Sequence, residues 1–210
     1  MTNYAETDSQ LNVATQRSLD AAASAAEGYH RMLAHVRAFL VRRRTFLGLL
    51  AAFILVAFAR PTPALLACGA FIMAAAYLIR LICAGYLDKD KTLVTGGPFG
   101  WCRNPLYLAN LLVVVAFGLM SGRLIAVPIL LLLWLATHAP TVACEEDFLR
   151  EKFGTKFERY CRQVARWLPK PPNGTGNGSF CWKRVIDNGE HLNIISAWIV
   201  AAMFFIELVK

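Results

Sequence analysis

The residues best equipped for chemistry fall in two clusters. The first is Gly96-Gly97-Pro98, followed by Arg103-Asn104-Pro105 and Tyr107. A glycine-rich loop running into a helix offers free N–H groups and the positive end of a helix dipole, which suits a carboxylate or phosphate. Arg103 adds a permanent cation able to grip a carboxylate in bidentate fashion; its plainer role is to anchor a span at the membrane edge. The second cluster is Glu145-Glu146-Asp147, directly after an apolar run. Acids on a face otherwise rich in positive charge serve as salt-bridge partners for the arginines or as a site for a cationic ligand. Nearby, His138 reads as an interfacial histidine, and Phe153, Phe157, Tyr160 and Trp167 read as a packed aromatic face.

The elements that must position these clusters are membrane helices. With 57% hydrophobic and only 17% charged residues, the 210-residue chain is too apolar for an ordinary soluble domain. Its net charge of +8 sits beside apolar runs rather than on a polar domain, which points to lipid surfaces and away from nucleic acid. Six cysteines are scattered without a C-x-x-C pair, so neither a metal site nor a disulfide framework is expected. Residues 1–26 lack an apolar h-region beside a basic n-region, so insertion is expected to rely on the internal helices.

Apolar stretches at 45–59, 64–84, 106–120, 124–138 and 192–209 predict an all-α, polytopic bundle of about five transmembrane helices. Hinges at 60–63 and 121–123 imply two helical hairpins. Nineteen of the 22 Lys and Arg residues fall before residue 45, in 80–103 or in 150–184, on one side of this arrangement. The positive-inside rule makes that side cytosolic, with the N-terminus inside and the C-terminus on the opposite side. The two clusters then share one face and flank the hairpin of the third and fourth spans.

The rest of the chain divides around that core. Residues 1–44 read as a cytosolic tail ending in a basic amphipathic helix, 29–44, placed on anionic lipid headgroups. The core is 45–169, in which 145–166 has the period of a helix lying on the bundle with a bend at Gly154. Residues 170–190 read as a flexible linker, with glycosylation sequons at Asn173 and Asn177 on the wrong side for use, and 191–210 as a final span.

The two clusters together resemble the integral-membrane methyltransferases of the isoprenylcysteine carboxyl methyltransferase and phospholipid N-methyltransferase superfamily. The family pattern of Gly-Pro-Tyr and then Arg-His-Pro-x-Tyr is similar to Gly97-Pro98-Phe99 and Arg103-Asn104-Pro105-Leu106-Tyr107. Glu145-Glu146, Leu149, Phe153-Gly154, Phe157, Tyr160, Val164, Arg166 and Pro169 follow the register of its second motif. Asn104 stands where the family has histidine, Phe99 where it has tyrosine, and Ala165 where it has proline.

This resemblance implies S-adenosylmethionine in a cytosolic pocket between the 93–107 loop and the segment after the fourth span. Its implied contacts are Gly97, Pro98, Arg103, Asn104, Pro105, Tyr107, Glu145, Glu146 and Tyr160. Arg103 and the loop amides would hold the methionyl carboxylate, and Glu145 or Glu146 the amino group or ribose. Arg103, Asn104 and Glu146 are the implied catalytic residues, with Glu146 as base should the acceptor be an ammonium. The acceptor would be a lipid or prenylated molecule arriving sideways between helices.

Two other readings stand beside it. Lys152–Cys161 is similar to the C-terminal part of NADPH-dependent membrane sterol reductases. Asn104 and Thr141, with the basic N-terminal helix and the fifth span as docking surfaces, motivate a non-catalytic subunit with a protein partner or a second copy.

Overall fold

The computed structural model describes residues 38–39, 42–43, 46–88, 92–172 and 176–210. The chain divides into two units, 1–43 and 44–210. In the first, residues 38–39 and 42–43 are helical, and the rest of the expected basic interfacial helix lies outside the described residues. The second unit carries all five apolar stretches and both clusters.

Among the described residues every regular element is a helix. They are α1 Phe46–Ala57, α2 Pro63–Tyr86, α3 Pro98–Trp101, α4 Pro105–Met120, α5 Ala126–Phe153, α6 Thr155–Gln163, α7 Trp182–Asp187 and α8 Glu190–Val209. Five of them fall on the five apolar stretches. Three are long and apolar enough to span a bilayer, namely α2, α5 and α8, with 24, 28 and 20 residues; α1 and α4 are apolar but shorter. The protein is an all-helical, integral-membrane bundle.

Local chemistry sets where these helices begin and turn. Pro63 opens α2, and the Thr62 hydroxyl accepts from the Leu65 N–H at 3.4 Å, satisfying one of the orphan donors of the first turn. The two expected hinges meet at the far end of the bundle. There the Arg60 N–H donates to the Ser121 carbonyl at 2.8 Å, and Arg123 Nε donates to the Phe58 carbonyl at 3.1 Å. Gly122 has φ +68° and lies so close to the Arg60 carbonyl that a Cβ would fall 1.8 Å from its oxygen. Only glycine fits that contact.

The core is formed by Met73, Ala76 and Tyr77 of α2, Val113, Ala116 and Met120 of α4, and Ala197, Ala201 and Phe204 of α8. Small residues let the backbones approach, as at Gly69, where a Cβ would sit 2.8 Å from the Ala116 carbonyl oxygen.

The fourth span differs from the sequence expectation. Instead of ending at His138, α5 runs unbroken to Phe153 with Pro140 inside it. Proline removes one ladder bond. The turns around it carry extra side-chain bonds, from the Thr137 and Thr141 hydroxyls back to the Leu133 and Thr137 carbonyls, each at 2.8 Å. The acids therefore ride on the same continuous helix as the apolar run that precedes them. The break comes at Gly154, whose φ of +51° rather than any crowding selects glycine.

Arg80, which the charge pattern places with the loop cations, is buried inside α2. Its guanidinium makes a bidentate pair with Glu190 of α8, Nε to Oε2 at 2.9 Å and the second nitrogen to Oε1 at 2.7 Å, and also donates to Asn110 of α4. Tyr77 adds a bond from its hydroxyl to the Asn193 carbonyl at 3.1 Å. One polar knot thus ties three apolar helices, and breaking one partner would leave an uncompensated charge in an apolar surrounding. Arg80→Met is expected to cost ~3–5 kcal/mol, with Glu190→Met restoring most of it in the double variant. Unfolding of the two proteins in detergent micelles reads both effects.

Candidate functional site

The glycine loop is shaped by what its neighbours exclude. Gly97 has φ +57°, and a Cβ on it would lie 2.6 Å from the Tyr86 ring. It leads into Pro98, the first residue of the single-turn helix α3. Val94 and Phe99 pack with Cys83 of α2, which fixes the loop on the end of that helix. Pro105 then opens α4.

The segment after α5 folds back over this loop and is zipped to it by main-chain bonds. The Arg103 N–H donates to the Ala165 carbonyl at 2.8 Å, and the Lys170 N–H donates to the Trp101 carbonyl at 2.9 Å. The buried Tyr160 hydroxyl donates to the Phe99 carbonyl at 2.7 Å. Burial pushes the ionisation of that hydroxyl well up, so it stays a neutral donor.

At the centre is Glu146, 3% exposed. Its Oε1 accepts from Arg103 Nε at 3.2 Å and from Asn104 Nδ2 at 3.1 Å, and its Oε2 from Arg166 Nε at 3.0 Å. Arg103 also donates to the Cys161 and Val164 carbonyls at 3.1 and 2.8 Å. The expected cofactor grip of Arg103 is therefore directed at the protein itself. Glu146, expected as a base, already has both oxygens engaged. Asn104 Nδ2 also donates to the Arg166 carbonyl at 3.3 Å.

Glu145 faces elsewhere. Its Oε1 accepts from the Tyr107 hydroxyl at 2.6 Å, and the carboxylate is exposed. Tyr107 meets the His138 ring edge-on at 5.8 Å, His138 stacks on Trp134 at 5.3 Å, and Trp134 meets Trp167 at 5.7 Å. The expected aromatic face thus extends deeper along α5 than 153–167. Trp134 Nε1 is buried and has no hydrogen-bond partner.

Between the loop and α6 lies a cavity of about 460 Å³. Thr95 and Gly100 line it from the loop, Phe153 from the end of α5, and Lys156, Arg159, Tyr160 and Gln163 from α6; Pro172, Gly176 and Asn177 complete it. Of the nine expected cofactor contacts only Tyr160 lines this cavity; Gly97, Pro98, Arg103, Asn104, Pro105, Tyr107, Glu145 and Glu146 do not. Sequence reasoning missed Lys156, Arg159 and Gln163, although their spacing of three and four residues puts them on one helical face. Asn177 reads in the sequence only as a glycosylation sequon within the linker, with nothing to tie it to this site.

Residues 63–156 match the family model for phospholipid methyltransferases. This matched stretch, somewhat under half of the chain, carries the pattern of the integral-membrane methyltransferase superfamily. Among individual relatives, it is 34% identical over 111 residues to the cobalt-zinc-cadmium resistance protein CzcN of Cupriavidus metallidurans, covering 52% of this chain and 51% of that one. It is 35% identical over 109 residues to the nickel-cobalt-cadmium resistance protein NccN of Alcaligenes xylosoxydans, with 51% of each chain covered. The protein-S-isoprenylcysteine O-methyltransferase of Schizosaccharomyces pombe is 25% identical over 91 residues, 43% of this chain and 39% of that one. The chain spans about half the length of the first two relatives. No solved structure matches it.

The Glu146 group holds the loop against the 161–166 segment, so breaking it should uncover what lies beneath. Cys102 is 1% exposed, and burial raises the pKa of its thiol, which disfavours the thiolate. Its alkylation by maleimide is expected to be slow in the wild type and at least tenfold faster in Glu146→Ala, read by site-resolved mass spectrometry.

Proposed function

We propose that this protein transfers a methyl group from S-adenosylmethionine to a lipid or isoprenoid-type acceptor in the membrane. The observation that carries the reading is the cavity between the glycine loop and α6, lined by Thr95 and Gly100 on one side and by Lys156, Arg159, Tyr160 and Gln163 on the other. Its volume of about 460 Å³ lies within the ~300–1,000 Å³ of small-molecule sites.

The side chains around it suit the donor. Lys156 and Arg159, which line the cavity from one face of α6, would take the methionyl carboxylate. Thr95, Gln163 and Asn177 offer hydroxyl and amide groups for ribose and ring nitrogens, while Phe153 and Tyr160 offer flat faces for adenine. When bound, S-adenosylmethionine supplies a sulfonium-activated methyl group, which transfers by in-line displacement without a covalent enzyme intermediate.

The chain's part is then to orient and to exclude water. Arg103, Asn104 and Glu146 act by clamping the two walls together rather than by touching the donor. Glu145, exposed and bonded to Tyr107, is the carboxylate left for an ammonium acceptor that must lose a proton; a carboxylate acceptor needs none. The acceptor's lipid tail would stay in the bilayer, reaching the site laterally. By the positive-inside count the cavity would face the cytosol, with the C-terminus opposite.

One observation favours a second reading, a non-catalytic membrane subunit. The most strongly charged motif residues, Arg103 and Glu146, satisfy each other. The same experiment separates the two. Purified protein is expected to bind S-adenosylhomocysteine by calorimetry, and the double variant Lys156→Ala/Arg159→Ala to bind it at least tenfold more weakly, about 1.4 kcal/mol. No heat of binding at millimolar ligand would leave the subunit reading standing.

A further inference from the structure

The stretch matched to the family ends at residue 156, yet the cavity does not close there. Its last wall, Gly176 and Asn177, comes from the segment that leads into α7 and α8.

That segment is fastened along the end of α2. The final carbonyls of a helix lack partners within it, and here the C-terminal segment supplies them. Asn188 Nδ2 donates to the Ala84 and Leu87 carbonyls at 3.0 and 3.2 Å. The Cys181 N–H donates to the Gly85 carbonyl at 2.9 Å. Phe180 lies so close over Gly85 that a Cβ there would be 2.2 Å from its ring.

The seam then continues onto the glycine loop. Asn177 Oδ1 accepts from the Thr95 N–H at 2.8 Å and from the Thr95 hydroxyl at 2.9 Å. The Asn177 carbonyl accepts from the Gly96 N–H at 2.8 Å. Glycines make this approach feasible on both sides. A Cβ on Gly176 would fall 2.2 Å from the Thr95 carbonyl oxygen, and one on Gly96 would fall 2.6 Å from that of Asn177. Three hydrogen bonds from Thr95 and Gly96 to Asn177 therefore fix the spacing between the loop and the chain that returns past it. That spacing sets the width of the cavity.

We infer that Asn177 is a positioning residue for the donor site: acting through Thr95 and Gly96, it makes the C-terminal segment 176–190 a structural wall of the cavity. This rests on the cavity reading proposed above. The wall lies outside the matched family stretch, so the same core carrying a different C-terminal segment would have a differently shaped site.

The test uses the full chain in detergent with S-adenosylhomocysteine as probe. Asn177→Leu removes the side-chain acceptor, whereas Asn177→Asp keeps an oxygen for both Thr95 donors. The expected result is binding at least tenfold weaker in Asn177→Leu and within threefold of wild type in Asn177→Asp, with the unliganded unfolding midpoint unchanged in both. Hydrogen exchange adds a readout independent of ligand: the amides of Thr95 and Gly96 should lose protection in Asn177→Leu alone. Wild-type affinity in Asn177→Leu, or equal loss in both variants, overturns the inference and leaves the donor site intact. Failure of the wild type to bind overturns the donor site and the inference together.

Discussion

A single buried carboxylate holds the two polar motifs of this bundle in one piece. Glu146 lies between Arg103 at the start of α4 and Arg166 beyond α6, with Asn104 donating to the same oxygen as Arg103. A carboxylate with 4% of its side chain exposed is tolerable only because charged donors approach from both directions. The arrangement converts two segments more than forty residues apart into a rigid frame. Arg103 extends the frame by bonding the carbonyls that end α6, so the loop, the long helix and the returning chain move as one. The cavity next to them inherits its shape from this frame, and the side chains that face into it need only be pointed correctly.

A second ionic knot does comparable work at the other end of the polar layer. Arg80 and Glu190 pair inside the apolar bundle and hold α8 against α2 and α4. The two knots differ in what they protect. Glu146 organises a site, whereas Arg80 joins the C-terminal helix to the core and thereby brings the segment before α8 to the rim of that site. The length of chain between these anchors is short, and its hydrogen bonds to the end of α2 leave it a defined path.

Hydropathy made the five apolar helices legible because a bilayer demands long apolar runs, and the glycine loop and paired acids were legible as motifs. What could not be read was who bonds to whom. Arg103 and Glu146 were both singled out, yet nothing local says that each is the other's partner. Arg80 was misplaced among loop cations because its acid lies 110 residues away. The continuation of α5 through Pro140 was hidden by a residue that ordinarily stops helices, whereas the bend at Gly154 was visible because a positive φ leaves its mark on residue choice. Lys156, Arg159 and Gln163 share a helical face that spacing alone could have revealed; Asn177 reaches the site only through tertiary folding.

The shortness of α4 has a consequence for the lipids around it. Its 16 residues rise about 24 Å, against a hydrocarbon layer of ~30 Å. A helix about 6 Å too short is accommodated by local thinning of the bilayer, by snorkelling of flanking side chains or by association with other helices, so the lipids beside α4 are packed differently from those beside its longer neighbours.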